Sequence, residues 1–201
     1  MALDTYSDLK ASLANWLHRA DLEALIPDFI RLAEIQMNAD VTSRSMEKRV
    51  VLTATAGDAN LDLPGDVLDI RRLQVLGSFN RVLIYRSADE VAQENPLSRS
   101  GVPEVFMVHG SSLELAPIPD SDYSIELLYY QRIPALSNTN PTNWLLTICP
   151  NAYLYGALLA AQPYLINDER IPMIQSLYRQ AVDGLNSIDW YSGSTMRVRA
   201  R

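Results

Sequence analysis

Few residues of this sequence have types and spacing that could do chemistry, and one group resembles a nucleophile beside its base. His109 is followed by Gly110, Ser111 and Ser112. Adjacent residues of a strand point to opposite faces of the sheet, and no G-x-S-x-G motif surrounds these serines. Glycine and serine are instead typical of tight turns. We therefore predict a hairpin turn at this position.

The other histidine and the single cysteine also favour structural roles. His18 falls near the end of the first predicted helix, where an imidazole suits the helix dipole. Cys149 precedes an apolar helix, and a small buried residue is the commoner role of a free cysteine. One cysteine excludes an internal disulfide and suits a reducing compartment. Together with two histidines it leaves few ligands for a zinc site.

The acidic pairs do not predict an enzyme. Asp89-Glu90 and Asp168-Glu169 are typical of solvated turns and helix starts, whereas glycoside hydrolysis needs two carboxylates at a defined separation across a cleft. No phosphate loop, dinucleotide fingerprint or HExxH motif occurs. We predict no catalytic, cofactor-binding or metal-binding residue and no cofactor. The alternative function is a small cytosolic or cell-wall-degrading hydrolase, recognisable by two carboxylates converging in a cleft.

The element around which the chain is organised lies at residues 144–166, within a stretch that has no charge between Arg132 and Asp168. Its centre is apolar on all sides of a helical wheel, which indicates burial or lipid. Pro150 and Pro163 cut the run to about half of the roughly 20 residues that a membrane span needs. We predict a central core helix over residues 151–162, with Gly156 marking close packing and the hydroxyls of Tyr153 and Tyr155 at the rim.

Amphipathic helices are predicted at both ends of the chain. Ser7 is the predicted cap of a first helix, and Pro27 begins a second. The second helix puts Phe29, Ile30, Ala33 and Met37 on one face, with Arg31, Glu34 and Asp40 on or near the other. Helical spacing over residues 173–190 predicts a final helix.

The middle of the chain changes to the period of strands. Residues 49–55 are β-branched and partly alternating, and residues 67–76 and 81–85 predict a hairpin. A capping box at Ser87 and Glu90 predicts a short helix over residues 87–94. Further strands are expected at residues 104–109, 113–116 and 123–132. Together these segments predict one antiparallel sheet of about six strands.

These elements predict an α+β protein in which helices at the two ends form one bundle. Residues 1–47 and 144–191 are the helical bundle, residues 48–132 the inserted antiparallel β-sheet domain, and residues 133–143 a loop. Residues 192–201 are a flexible basic tail. In the loop region Ile133, Leu136 and Trp144 flank a polar stretch. This region is either a contact surface, or Trp144 simply caps the core.

Charge is unevenly distributed. The net charge is −7, which argues against a surface built to grip duplex DNA. Residues 51–139 carry twelve acidic and six basic groups, whereas the last eleven residues carry three arginines and no acid. The acidic N-terminus does not predict a secretory signal. The tail either docks on another protein or is a loose solvated end. A transcription or chaperone factor using this tail is a further reading.

Four segments of the chain have a familiar order. The first is TYSDLKASLANWLHRADLEALIPDFIRLAEIQMNADV, and the others are LDLPGDVLDIRRL, GVPEVFMVHGSSLELAPIPDSDYSIELLYYQRIPALS and PNAYLYGALLAAQPYL. This order resembles the head-to-tail adaptor (connector, or head completion) proteins of tailed bacteriophages. The resemblance covers residues 5–190, and its motifs mark structure instead of chemistry.

The resemblance implies a structural, non-enzymatic protein of the virion, located at the head-tail junction and assembled in the host cytoplasm. Such adaptors form a homo-oligomeric ring, typically of twelve copies, beneath the portal protein. They link it to the tail tube or nozzle protein and help to retain packaged DNA, which passes through the channel without specific binding. No membrane is involved.

The resemblance also implies a portal-binding segment at the C-terminus. Residues 192–201 correspond to the part that docks between portal subunits in this family, and the β-rich insert to the part that meets the tail component or neighbouring subunits. The portal-binding residues expected on this basis are Ser192, Met196, Arg197, Val198, Arg199 and Arg201.

Overall fold

The computed structural model describes residues 3–77, 80–87, 89–91, 99–165 and 169–190 of the chain. Within them the chain divides into two compact units. The helical unit combines the residues up to Ser45 with those from Ile133 onward, and the β unit is Met46–Arg132. Helices and mostly antiparallel strands are thus separated along the chain, which confirms the predicted α+β class.

The described part of the helical unit contains five α-helices and the 3-10 turns Ala20–Leu25 and Gln162–Tyr164. A third 3-10 turn, Arg44–Met46, crosses the sequence boundary between the two units. The α-helices are α1 (Tyr6–Leu17), α2 (Ile26–Asp40), α3 (Trp144–Ile148), α4 (Pro150–Ala160) and α5 (Ile171–Trp190).

The cap of α1 differs from the prediction. Thr5, not Ser7, is the N-cap residue, and its side chain accepts a hydrogen bond from the Asp8 amide at 3.2 Å. The Asp8 carboxylate accepts one from the Thr5 amide at 3.1 Å. This reciprocal pair is a capping box, which satisfies two backbone donors at once. Ser7 has no acid three residues later, so Thr5 forms the better cap.

Helix α4 is the centre of the helical unit, as its sequence predicts. It packs against α1, α2 and α5, and an all-round apolar helix needs such neighbours. Pro150 is its first residue, where the missing amide is harmless. The α-helix ends at Ala160, and the 3-10 turn that contains Pro163 follows. The described helices include none with the length and hydropathy needed to cross a bilayer.

Gly156 allows two neighbours to approach α4 closely, as predicted. A Cβ at this position would lie 3.2 Å from Cε2 of Tyr178 on α5 and 3.3 Å from Cβ of Ala33 on α2. Both distances are shorter than ordinary carbon contacts. Helix α5 itself begins at Ile171, two residues before the predicted start.

The described strands of the β unit form three groups. The strand orders are β1-β10-β3-β4, β2-β8-β7-β5 and β6-β9. The bounds are β1 (Glu47–Ala54), β2 (Asn60–Asp62), β3 (Val67–Leu76), β4 (Arg81–Val82), β5 (Ile84–Tyr85), β6 (Ser100–Gly101), β7 (Val105–His109), β8 (Ser112–Ala116), β9 (Ile118–Pro119) and β10 (Tyr123–Gln131).

The prediction of one sheet of about six antiparallel strands is wrong in its details. Two four-stranded sheets pack face to face, because Leu73, Ile125 and Leu127 from one share a buried core with Leu113 and Leu115 from the other. The pairs β5–β7 and β6–β9 are parallel. A sheet with one apolar face has to bury that face, and a second sheet does so here.

The predicted hairpin of residues 67–76 and 81–85 is only half present. Strand β4 pairs with β3, but the chain then leaves this sheet at Leu83, and β5 joins β7 of the other sheet. Leu83 is buried between the two. The capping box of the next predicted helix exists, since the Ser87 amide donates to Glu90 at 2.9 Å. Residues 92–94 of that helix lie outside the described residues.

Candidate interaction surfaces

The six residues predicted to bind the portal lie outside the described residues. They are Ser192, Met196, Arg197, Val198, Arg199 and Arg201. Helix α5 ends at Trp190, so the described chain stops just before this segment. The predicted tail from 192 to 201 therefore stays a prediction, and the surfaces described below belong to the two folded units.

The histidine and serine that resembled a catalytic pair form a turn, as predicted. Strands β7 and β8 pair from Val105 to Ala116, with Gly110 at a φ of 58° between them. Glycine tolerates this left-handed backbone without strain. The Ser112 hydroxyl donates to the carbonyl of His109 at 3.2 Å, and the His109 ring lies 3.3 Å from Glu114.

His18 and Cys149 occupy helix ends. His18 is the C-cap residue of α1, with a left-handed φ of 51°, and its amide donates to the Ala14 carbonyl. Cys149 joins α3 to α4 and is half-buried, with its thiol 3.9 Å from the Ala181 carbonyl. His18 thus lies at a helix end, as predicted, whereas Cys149 is only half-buried and is not the buried residue that was predicted.

The loop that precedes α3 is held by a buried polar network. The Glu34 carboxylate of α2 accepts hydrogen bonds from the Leu136 amide at 2.7 Å and from the Tyr153 hydroxyl at 3.2 Å. The same hydroxyl accepts one from the Asn143 side chain at 2.5 Å. Asn143 also caps α3 by accepting from the Leu146 amide. One acid thus connects a helix, a loop and the core helix.

Glu34 and Tyr153 are buried, against the prediction for each. Glu34 is 5% exposed and Tyr153 is fully buried, although Glu34 was assigned to the polar face of α2 and Tyr153 to the rim. Burial raises the pKa of Glu34, and the two hydrogen bonds it accepts partly offset this effect. Burial, followed by the charge of Glu34, also raises the pKa of the Tyr153 hydroxyl.

The sequence contained a signal for Glu34 that the prediction missed. Position 34 follows Ile30 by four residues and precedes Met37 by three, so it lies on the apolar stripe of α2. A charged residue on such a stripe indicates a buried partner. Ile133 and Leu136 are buried as well, which favours core packing over a contact surface for this loop. Trp144 is half-buried.

A groove of about 900 Å³ runs between α2, α4 and α5. Its α2 wall exposes Leu32 and Ile35, at 53% and 62% exposure. Its floor contains Gly156 and Tyr178, whose hydroxyl donates to Asp40 at 2.8 Å. Burial and the bond to Asp40 raise the pKa of Tyr178. Large apolar side chains at this exposure are typical of a protein contact surface when they adjoin a groove.

The β unit has an apolar groove of its own, with a volume of about 730 Å³. It is lined in part by Leu68, Tyr85 and Val108, which are 40%, 61% and 44% exposed. The Tyr85 ring packs edge-on against Phe106, with the ring centroids 5.7 Å apart. The groove therefore combines a fixed aromatic ring with aliphatic walls, a composition typical of interface centres.

The outer face of the sheet β1-β10-β3-β4 carries a buried acid between two arginines. Ile125, Leu127 and Tyr129 of β10 point into the core, so Glu126 points outward. Its side chain is nevertheless only 1% exposed, because Arg49 of β1 and Arg72 of β3 form ion pairs with it from either side.

These two arginines remain accessible although they share one carboxylate. The side chains of Arg49 and Arg72 are 68% and 46% exposed. Arg71, at 49%, forms an ion pair with Glu47 nearby. Exposed Val51 and Val82 belong to the same sheet face. We call Arg49, Arg71 and Arg72, together with the valines, the arginine face.

The described residues offer no obvious metal centre, since no group of three or more histidine, cysteine, aspartate or glutamate side chains converges among them. Of the acids that line the groove of the helical unit, Asp40 is already bound by Tyr178 and by Gln36 at 2.9 Å. Among the described residues the geometry offers a groove in each unit and one charged sheet face, which are features suited to binding proteins.

Comparison with known protein families gives a match over nearly the whole chain. The family described as SU10 adaptor protein matches residues 4–200 of the chain. No curated protein sequence matches significantly. The match includes both units as well as the C-terminal segment that the structure leaves undescribed.

Proposed function

Since this chain belongs to the SU10 adaptor protein family, whose members are structural phage proteins, we propose that it is a head-to-tail adaptor. In this proposal several copies, twelve by the resemblance described above, assemble beneath the portal and join it to the tail tube or nozzle. The observation that carries the proposal is the family match over nearly the whole chain.

The surfaces of the two units support an adaptor that binds more than one protein. The helical unit has a groove flanked by Leu32 and Ile35, and the β unit has a separate groove around Tyr85. Each groove is large enough to receive side chains from a partner. A protein that must hold two different neighbours needs two such surfaces.

The portal-binding element in this proposal is the segment from Ser192 to Arg201. It follows α5 directly and carries Arg197, Arg199 and Arg201 without an acid. In an extended chain the alternation with Val198 and Ala200 puts the three arginines on one side. Such a strand can add to a sheet edge or an acidic crevice of the portal.

The charge of the protein supports a channel through which DNA passes without specific binding. The net charge of −7 repels phosphates, and DNA binding depends on neutralising them. A ring of such copies would close around the packaged DNA and help to retain it. The negative charge of the ring would let the DNA slide through during ejection.

The experiment that tests the portal-binding element is truncation after Tyr191. Portal rings are incubated with the full chain or the truncated chain, and the bound copies are counted by native mass measurement. The proposal expects the truncated chain to keep its fold, by circular dichroism, and to lose portal binding. A triple variant, R197Q/R199Q/R201Q, keeps the length of the segment and isolates the contribution of its charge. Normal binding by the truncated chain would refute the assignment.

A further inference from the structure

Two guanidinium groups of the arginine face share a single carboxylate. Glu126 is shared between Arg49 and Arg72, and Glu47 is paired with Arg71. Around Glu126 two guanidinium groups thus meet one carboxylate, which leaves one positive charge there, whereas Arg71 lies with Glu47 and Asp69 at the other end of the face. Each guanidinium has five N–H donors, so most of these donors remain available to a partner.

A negatively charged surface lies at one end of the same β unit. The turn between β1 and β2 is joined to the turn between β9 and β10, because the Gly57 amide donates to the Pro119 carbonyl at 2.8 Å. These turns carry three exposed acids, Asp58, Asp120 and Asp122. We call them the aspartate loops.

The hydrogen-bond partners of these three aspartates are uncharged. Asp58 accepts from the Asn60 amide, Asp120 from the Tyr123 hydroxyl and Asp122 from the Ala56 amide. The surrounding sequence supplies no counter-charge, since neither residues 50–70 nor residues 110–131 contain a lysine or arginine. The hydrogen bonds fix the loops, and the negative charge stays free for a partner.

One copy cannot bring its own two surfaces together. The aspartate loops lie beyond the point where Ala54 pairs with Tyr123, whereas Arg72 pairs at Leu128, five residues further along β10. At about 3.4 Å per residue this separation is roughly 17 Å along the sheet. The aspartate loops of a second copy are free of this fixed separation and can approach the arginine face of the first.

We propose that the aspartate loops of one copy dock on the arginine face of the next, in a head-to-tail contact between β units. The two surfaces differ, so the contact is heterologous and each copy can both give and receive it. Repetition of a heterologous contact produces a closed ring when the rotation between copies permits. Val51 and Val82 supply apolar area between the charges. This inference rests on the proposed assembly of several copies, and it names the residues through which they meet.

The first test neutralises the aspartate loops without removing their hydrogen-bond acceptors. In the full chain, D58N/D120N/D122N keeps a side-chain oxygen at each position. The control, E23Q/E169Q/D183N, makes the same change in net charge at three exposed acids of the helical unit. Sedimentation at low salt is expected to show self-association that is about tenfold or more weaker in the first variant only. Equal association of both variants would overturn the inference.

The second test identifies the contact directly. Arg49→Lys keeps the positive charge and introduces an amine that a carbodiimide couples to a touching carboxylate. Mass spectrometry is expected to find the introduced lysine joined to Asp58, Asp120 or Asp122 of another copy, in the concentrated free chain or in the chain assembled on portal rings. Absence of this cross-link from both samples would overturn the inference.

The outcomes separate this inference from the proposed function. Rings on the portal without the cross-link would leave the adaptor function standing and remove the contact. Failure of the chain to assemble at all would remove both. Binding of a 30-base-pair duplex that Arg49→Gln abolishes would show that the arginine face takes phosphates instead of aspartates, which also contradicts the inference.

Discussion

Glu34 and Tyr153 meet inside the helical unit, where the Tyr153 hydroxyl donates a hydrogen bond to Oε1 of Glu34 at 3.2 Å. The pair connects α2 with α4, and Asn143 extends it into the loop before α3. Buried polar groups are costly when they lose a partner. The pair therefore fixes the loop on the helices and makes the unit sensitive to changes at either residue.

We predict that Tyr153→Phe destabilises the protein by about 1–3 kcal/mol, because Glu34 and Asn143 each lose a buried hydrogen-bond partner. Chemical denaturation measures the free energy of unfolding. Tyr155→Phe is the matched control, since Tyr155 is half-buried on the same helix. An equally small loss of stability in both variants would show that the hydrogen bonds of Tyr153 do not stabilise the protein.

Glu34→Gln is expected to change how stability depends on pH. The folded pKa of Glu34 is raised above its ordinary value of 4.5, so folding favours the protonated acid. Its favourable contribution is complete below pH 4.5 and is lost as pH rises through the raised folded pKa. Glutamine does not titrate, so the wild type should lose stability relative to Glu34→Gln across this window.

The measurement for Glu34 is denaturant unfolding at a series of pH values, with the exposed-residue variant Glu23→Gln as control for the lost charge. Any damage that the amide does to the network is independent of pH and shifts the whole curve. Only the change with pH of the stability difference between wild type and Glu34→Gln reports the titration of Glu34. A difference between wild type and Glu34→Gln that stays constant from pH 4 upward would contradict the prediction.

A pair of glycine variants tests the packing around α4. Gly156→Ala places a methyl group 3.2 Å from Tyr178 and 3.3 Å from Ala33. Tyr178 is held by its bond to Asp40, and Ala33 cannot move without α2. Overpacking costs about 1–3 kcal/mol, which exceeds the gain of up to about 1 kcal/mol in helix propensity. We predict a net loss of stability.

The companion variant is Gly184→Ala on α5, where an added Cβ meets nothing within 4 Å. Only the propensity gain remains there, so this variant should be more stable by about 0.5–1 kcal/mol. Thermal unfolding of the two variants decides the question. A gain of stability in both would mean that the neighbours of Gly156 yield easily.

Patterns that depend on near neighbours in sequence predicted much of the helical unit. The uncharged run and its two prolines predicted the position and burial of α4, and Gly156 predicted its close contacts. The place of Glu34 on the apolar stripe of α2 indicated its burial, but no local pattern identified its partners, because Leu136 and Tyr153 lie 102 and 119 residues away. Helical spacing indicates the face on which a side chain lies and leaves open what covers it.

In the β unit, too, local patterns predicted the elements but not the contacts between distant residues. Strand positions followed from alternation and turn residues, but the partition into two sheets did not, because it depends on which distant strands pair. Leu83 is one buried residue between β4 and β5, and the chain changes sheets there. Nor did any local pattern predict that Glu126 is buried on an outward face, since that depends on arginines 77 and 54 residues before it in the chain.

The central claim is that this protein assembles in several copies beneath a portal. Native mass measurement and negative-stain microscopy of the purified chain, with and without portal rings, test it most directly. The account predicts rings of the chain, formed either alone or on the portal. A chain that stays monomeric and ignores the portal would contradict it.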